Sequence, residues 1–275
     1  MDDTNHVGAL RSALAATKLP FCAAGDIPIS RDAPINLLFE GPGHGDQKIV
    51  NCVTFPLSNA DDISSLREAC KQVSSGCGSE VVPNPSYRRG LVLSASSFAI
   101  APATAADPYG LGILAKINQT LLSGSIGDTS VKDDDKDDEE EEEYVEKRTK
   151  ERRVVARLDK MNVYGVGDFF KGYVDTPRSN QVLGTLLINL PVAHEGGQLV
   201  VHAPYPSGGD HDGNSGVAQP SDPGLGQRES YTTKWGTEDV LSWIAFFSDC
   251  PHEVLPVEHG NRYVSLLLYM LCIVF

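Results

Sequence analysis

Two stretches of the chain carry residue types able to do metal chemistry. The first is NVYGVGDFFKGYVDTPRS from Asn162 to Ser179, and the second is FFSDCPHEVLPVEHGNR from Phe246 to Arg262. Side chains two apart on a strand point to the same face, so Tyr173 and Asp175 can present two ligands to one metal. A third must arrive from elsewhere in the fold. His252 is the natural donor, because it follows the apolar run Trp243-Ile244-Ala245-Phe246-Phe247, which reads as a buried strand ending at Ser248-Asp249. Two imidazoles and one carboxylate on one face of an octahedron leave open positions, the arrangement used by non-haem Fe(II) oxygenases. Asp175 and His252 match that set, and Tyr173 stands where the first imidazole is expected.

Arg262 begins the strand-like run Arg262-Tyr263-Val264-Ser265-Leu266-Leu267-Leu268-Tyr269. A guanidinium there can form a fork of two charge-assisted hydrogen bonds with a carboxylate, as a 2-oxo-diacid cosubstrate would need. Each residue also has a plainer reading. Tyr173 can be a core aromatic, Asp175 before Thr176-Pro177 a turn-initiating carboxylate, His252 a loop histidine and Arg262 a strand-edge charge. His194, His202 and His211 are further imidazoles that could replace the missing ligand.

Around these residues the chain resembles the Fe(II)- and 2-oxoglutarate-dependent dioxygenases of the prolyl-4-hydroxylase-like group, fungal-type members above all. Their core reads roughly L-N-V-Y-G-x-G-x-F-F-K-x-H-V-D-T-P-R. The likeness extends to Leu183-Gly184-Thr185-Leu186 before Pro191, His194-Glu195-Gly196-Gly197-Gln198-Leu199, Trp235-Gly236 and Phe246-Phe247-Ser248-Asp249-Cys250. Upstream it takes in Ser79-Glu80-Val81-Val82 and Ser86-Tyr87-Arg88, and in all it covers most of residues 35 to 270. The resemblance implies Fe(II) and 2-oxoglutarate as cofactors, with Asp175 and His252 as iron ligands. It also implies Arg262 as anchor of the distal carboxylate and Tyr164 as a hydrogen-bond donor to the cosubstrate. The activity implied is hydroxylation of an unknown substrate, small molecule or peptide, coupled to oxidative decarboxylation of 2-oxoglutarate. Tyr173 departs from the pattern: a neutral phenol with a pKa near ~10 is a poor ligand for Fe(II). The alternative function is therefore a catalytically impaired pseudoenzyme acting as a binding or interaction module.

The net charge of −14 over 275 residues is mostly local. DDDKDDEEEEE at residues 133 to 143 contributes −9, leaving −5 elsewhere. Such a block cannot bury apolar area, so a solvated, disordered insertion is expected over 123–150, with a protein partner for the acidic tract as its functional reading. No basic patch with interleaved aromatics points to nucleic acid. No segment reads as a signal peptide or a membrane span, and the apolar run Val264 to Phe275 is too short to cross a bilayer. Six cysteines without a C-x-x-C pair fit free thiols, and the expected compartment is cytoplasmic or nuclear. The chain stops where members of the resembling family continue, which leaves truncation of a longer protein as an alternative.

The elements that must position these residues follow from periodicity. Helices are expected over Gly8 to Lys18, from a cap at Ser58 with Ile63, Leu66, Cys70 and Val73 on one face, and over Leu111 to Leu122. Strands are expected over Ile35 to Phe39, Ile49 to Phe55, Val154 to Tyr164, Val182 to Leu190, Gln198 to Ala203, Tyr231 to Lys234, Val240 to Ser248 and the last run. Pro204 to Arg228, dense in Gly, Ser, Pro and Asp, reads as a flexible loop. The expected organisation is one α+β domain over 1–275. Its strands and helices at 1–122 precede a core at 154–275, which the resemblance sharpens to a double-stranded β-helix, or jelly roll, flanked by helices from the N-terminal half.

Overall fold

The structure is a computed structural model. It describes residues 20–42, 48–57, 63–73, 75–77, 80–82, 84–122, 153–174, 182–204, 228–259 and 264–274. The expected helix over Gly8 to Lys18, the acidic insertion and most of the 204–228 loop lie outside these residues.

A seven-stranded sheet forms the centre, in the order Cys22–Pro28, Val240–Phe247, Val182–Asn189, Val264–Val274, Arg153–Tyr164, Leu91–Ser94 and Lys71–Gln72. Every neighbouring pair in it is antiparallel. Its middle strands are almost continuously apolar because they are covered on both faces. Leu186 and Ile188 face one core, and Leu187 between them faces another. Trp243 and Ala245 likewise alternate with Ile244 and Phe246. Fully burying each such large side chain contributes about 1.5–3 kcal/mol, so the two-sided strands are the main anchor of the fold.

The first core lies against the N-terminal half. A three-stranded sheet of Lys48–Phe55, Ile35–Pro42 and Phe98–Ala101 supplies Phe39, Phe55 and Leu37, all nearly fully buried. The second core is shared with a five-stranded antiparallel sheet in the order Ser230–Thr232, Leu199–His202, His252–Val254, Phe169–Tyr173 and Arg88–Arg89. Its residues include Phe170, Leu199, Val201 and Val254 from that sheet, packed with Tyr164, Leu187, Ile244 and Phe246 of the large one.

Several expectations are corrected. Among the described residues of the N-terminal half strands outnumber helices, with only two short α-helices, Ser64–Ala69 and Ile113–Ile117. Cys70 turns to an extended conformation, and Lys71–Gln72 joins the edge of the large sheet opposite Leu91 and Val92. Sheet pairing overrides the helical spacing that would have carried on to Val73. The helix expected over Leu111 to Leu122 changes pitch at Asn118 into a π turn, while Ile113, Ile117 and Leu121 all stay buried. The expected strand over Tyr231 to Lys234 is Ser230–Thr232. Thr233 ends it by accepting the Leu199 amide on its hydroxyl at 3.0 Å. The strand Cys22–Pro28 carries no strand signal, being built of Cys, Ala, Ala, Gly and Asp before Ile-Pro. Its Gly25 lies opposite Trp243, where a Cβ would come within 3.0–3.1 Å of the indole, so the small residue is what lets this strand cover the tryptophan. No helix among the described residues is long and apolar enough to cross a membrane.

Candidate functional site

His252 opens a short strand after a turn in which the Cys250 amide donates to the Phe247 carbonyl at 3.1 Å. The Pro251 carbonyl accepts the His202 amide at 2.8 Å, which ties the turn to the neighbouring strand. These contacts aim the His252 ring into the space between the two sheets, where it is 7% exposed. The ring packs between Phe246 of the large sheet, at a centroid distance of 4.8 Å, and Phe170 of the five-stranded sheet, at 5.9 Å. His252 Nδ1 lies 3.2 Å from the Cys250 carbonyl. A carbonyl only accepts, so this contact requires the proton on Nδ1, the arrangement that turns Nε2 rather than Nδ1 to a metal.

The antiparallel ladder sets Tyr173 opposite His252, after a bulge that follows the pair Phe170 and Val254. The sequence therefore named two positions, about 80 residues apart, that the fold makes register partners. Asp175 and Arg262 lie outside the described residues. Tyr164 ends the long strand Arg153–Tyr164, is 2% exposed, and belongs to the same core as Phe170 and Phe246.

The described histidines do not replace the missing imidazole. His202 follows Val201, which pairs with His252 and sits in the inner core, so His202 turns to the opposite face. There its Nε2 lies 3.7 Å from a Glu253 oxygen, within ion-pair reach but too long for a hydrogen bond. His194 donates from Nδ1 to the Val192 carbonyl at 2.8 Å, and burial holds its pKa below the ordinary value. His211 is outside the described residues. Among the described residues no three His, Cys, Asp or Glu side chains cluster as a metal site. The donor set that the sequence offers, one well-oriented imidazole, a carboxylate and a phenol, fits iron more weakly than two imidazoles and a carboxylate.

Burial, reinforced by Asp249, pushes the Cys250 thiol up to about 12, so this neighbour of His252 is a packing group rather than a nucleophile. The sequence quoted Tyr87-Arg88 only as part of a longer motif, yet both residues wall the site. The Tyr87 hydroxyl donates to the Gly172 carbonyl at 3.0 Å, and its ring meets Phe170 edge-on at 5.9 Å. The Arg88 guanidinium lies over Phe170 at 4.5 Å from the ring centroid. Arg88 opens a strand of two residues, too short to show a period, so periodicity does not mark it.

No family model and no curated protein matches the chain. Solved structures with a distant likeness include the following three. A Pseudomonas putida prolyl-4-hydroxylase is 16% identical, with 77% of this chain and 81% of that one covered and a TM-score of 0.35. An oxidoreductase of the 2OG-Fe(II) oxygenase family from Burkholderia pseudomallei is 14% identical, with coverages of 97% and 79% and a TM-score of 0.32. A Trichoplax adhaerens prolyl hydroxylase, in complex with a hypoxia inducible factor peptide, is 15% identical, with coverages of 72% and 69% and a TM-score of 0.34. Likenesses this distant carry no weight for function, which rests on the residues and geometry of this chain.

Proposed function

We propose that the chain is an Fe(II)- and 2-oxoglutarate-dependent dioxygenase-like protein, with a jelly-roll core and an iron site weakened at residue 173. The observation that carries the reading is the ladder register that sets residue 173 opposite His252, with the His252 ring held between phenylalanines of two facing sheets. Asp175 and His252 would hold the iron, with Tyr173 at the third protein position. Arg262 would anchor the distal carboxylate of 2-oxoglutarate, and Tyr164 would donate a hydrogen bond to it. Fe(II) held there would activate O2, the oxidant, with 2-oxoglutarate as the co-reductant that becomes succinate and CO2. The chain's own part is to orient the imidazole through the Cys250 carbonyl and to keep water from it with Phe170 and Phe246.

The test is anaerobic Fe(II) titration followed by succinate formation from 2-oxoglutarate in air. The expected result is 2-oxoglutarate binding with weak iron affinity and slow turnover in the wild type, both raised in Tyr173→His. Tyr173 itself favours a second reading, a pseudoenzyme that keeps the fold to bind a ligand or peptide. That reading expects 2-oxoglutarate or peptide binding with no succinate from either protein. Absence of both iron and 2-oxoglutarate binding in Tyr173→His would remove the oxygenase reading.

A further inference from the structure

Arg88 is a cation in the wrong place for an ordinary structural arginine. It pairs with Phe170 at the edge of the five-stranded sheet, and its side chain crosses to the large sheet, where Nη2 donates to Asn162 Oδ1 at 3.3 Å. Its Nε is buried and has no hydrogen-bond partner. Among the described residues no carboxylate pairs with it; the nearby ion pair to Asp168 belongs to Arg89. The guanidinium is only partly buried, but its Nε is sealed from water without a partner, and buried polar atoms without partners are rare enough to need a cause. The Phe170 ring stabilises the cation in part through a cation–π contact.

The floor beneath it is polar too. Asn162 and Asn189 are both register partners of Leu266, and Asn189 pairs in turn with Ser242, so the three lie on one rung across the large sheet. Alternation with Tyr164, Leu187 and Ile244 places all three on the face turned to the five-stranded sheet. They are 3%, 1% and 4% exposed, and Asn189 Oδ1 is buried without a partner. An apolar core has no use for such a rung. The same Phe170 ring that carries the guanidinium also meets His252 edge-on, so the cation, Asn162 and the candidate iron ligand adjoin one ring between the sheets.

We infer that Arg88, with Asn162 beside it, is a subsite for a carboxylate, additional to the anchor expected at Arg262. The inference deepens the oxygenase reading and rests on it for the identity of the neighbouring ligand. The carboxylate has two possible sources, 2-oxoglutarate itself or an acidic substrate.

Two titrations of the full chain separate them: 2-oxoglutarate into the free protein, and acetate, followed by saturation-transfer NMR, into protein saturated with 2-oxoglutarate. Arg88→Gln weakens one of the two by about tenfold or more. Loss in the first assigns the subsite to the cosubstrate, and loss confined to the second assigns it to the substrate. Asn162→Asp guards against a folding artefact. It sets an internal carboxylate beside Nη2, so it should lose the same binding while melting no lower than the wild type. Unchanged binding in both variants, or no binding of either probe by the wild type, overturns the inference. Should 2-oxoglutarate fail to bind while acetate binds through Arg88, the oxygenase reading falls and the subsite stands. Should 2-oxoglutarate bind independently of Arg88 and acetate show no dependence on it, the reading stands and the subsite falls.

Discussion

Replacing Phe246 by alanine tests whether the two sheets enclose the candidate site. The ring is 1% exposed, belongs to the inter-sheet core and lies 4.8 Å from the His252 ring. Burial of about 150–250 Å² of aromatic surface, at roughly 25 cal/mol/Å², corresponds to about 4–6 kcal/mol. Extended-chain areas are upper bounds, and core Phe→Ala changes cost about 3–5 kcal/mol, so about 4 kcal/mol is the expected loss. At roughly 2–4 °C per kcal/mol for a domain of this size, the melting temperature should fall by about 8–16 °C. Phe247→Ala is the control, because the next side chain points to the other face and is only half-buried. It should cost less than half as much. Thermal melts followed by circular dichroism read both. A loss below about 3 °C for Phe246→Ala, or equal losses for the two, would refute the enclosed inter-sheet geometry on which the site depends.

Other outcomes follow from the same coordinates. Gly184→Ala should lower the urea midpoint by the equivalent of about 3 kcal/mol or more. A Cβ there collides with the Phe246 carbonyl and comes within 3.0 Å of Phe247 Cα, so an unchanged midpoint would mean that the two strands are not this close. His194 is held neutral by burial, with its pKa below the ordinary 6.5. The unfolded chain therefore binds the extra proton first. Its stability contribution is complete above pH 6.5 and is lost as the pH falls from there toward the lowered folded value. His194→Gln should flatten that part of the stability profile, and an identical pH slope in the variant would contradict it. Alkylation with iodoacetamide should modify exposed Cys52 well before Cys70 and Cys250, whose thiols burial pushes up to about 12. Peptide mass spectrometry showing Cys250 labelled as fast as Cys52 would count against the packed turn before His252.

The legible parts of the fold were those whose signal is long and two-sided. Val182–Asn189 and Val240–Phe247 carry enough consecutive apolar residues to declare strands, Arg153–Tyr164 is rich in β-branched and apolar residues between its charges, and all three lie in the large sheet. The five-stranded sheet was mostly hidden. His252–Val254 and Arg88–Arg89 are too short to have a period, and cross-strand partners rather than local propensity hold them. Cys22–Pro28 was invisible because the requirement there is smallness over Trp243, which looks like a loop composition. At the site, same-face spacing together with the resemblance nominated Tyr173 and His252, whose backbone positions the ladder pairs. Asp175 and Arg262 lie outside the described residues and remain proposals from the motif. Arg88 was not legible, since its meaning depends on a ring and an amide brought from two other strands.

The most direct test of a shared metal site at residues 173 and 252 is Co(II) titration, read by visible absorption, of four proteins: wild type, Tyr173→His, His252→Ala and the double variant. Tyr173→His should tighten binding by about tenfold or more, equivalent to at least ~1.4 kcal/mol. His252→Ala should abolish that gain in the double variant, because the two positions would bind one ion. A gain in Tyr173→His that survives the loss of His252, or no gain at all, would contradict the account.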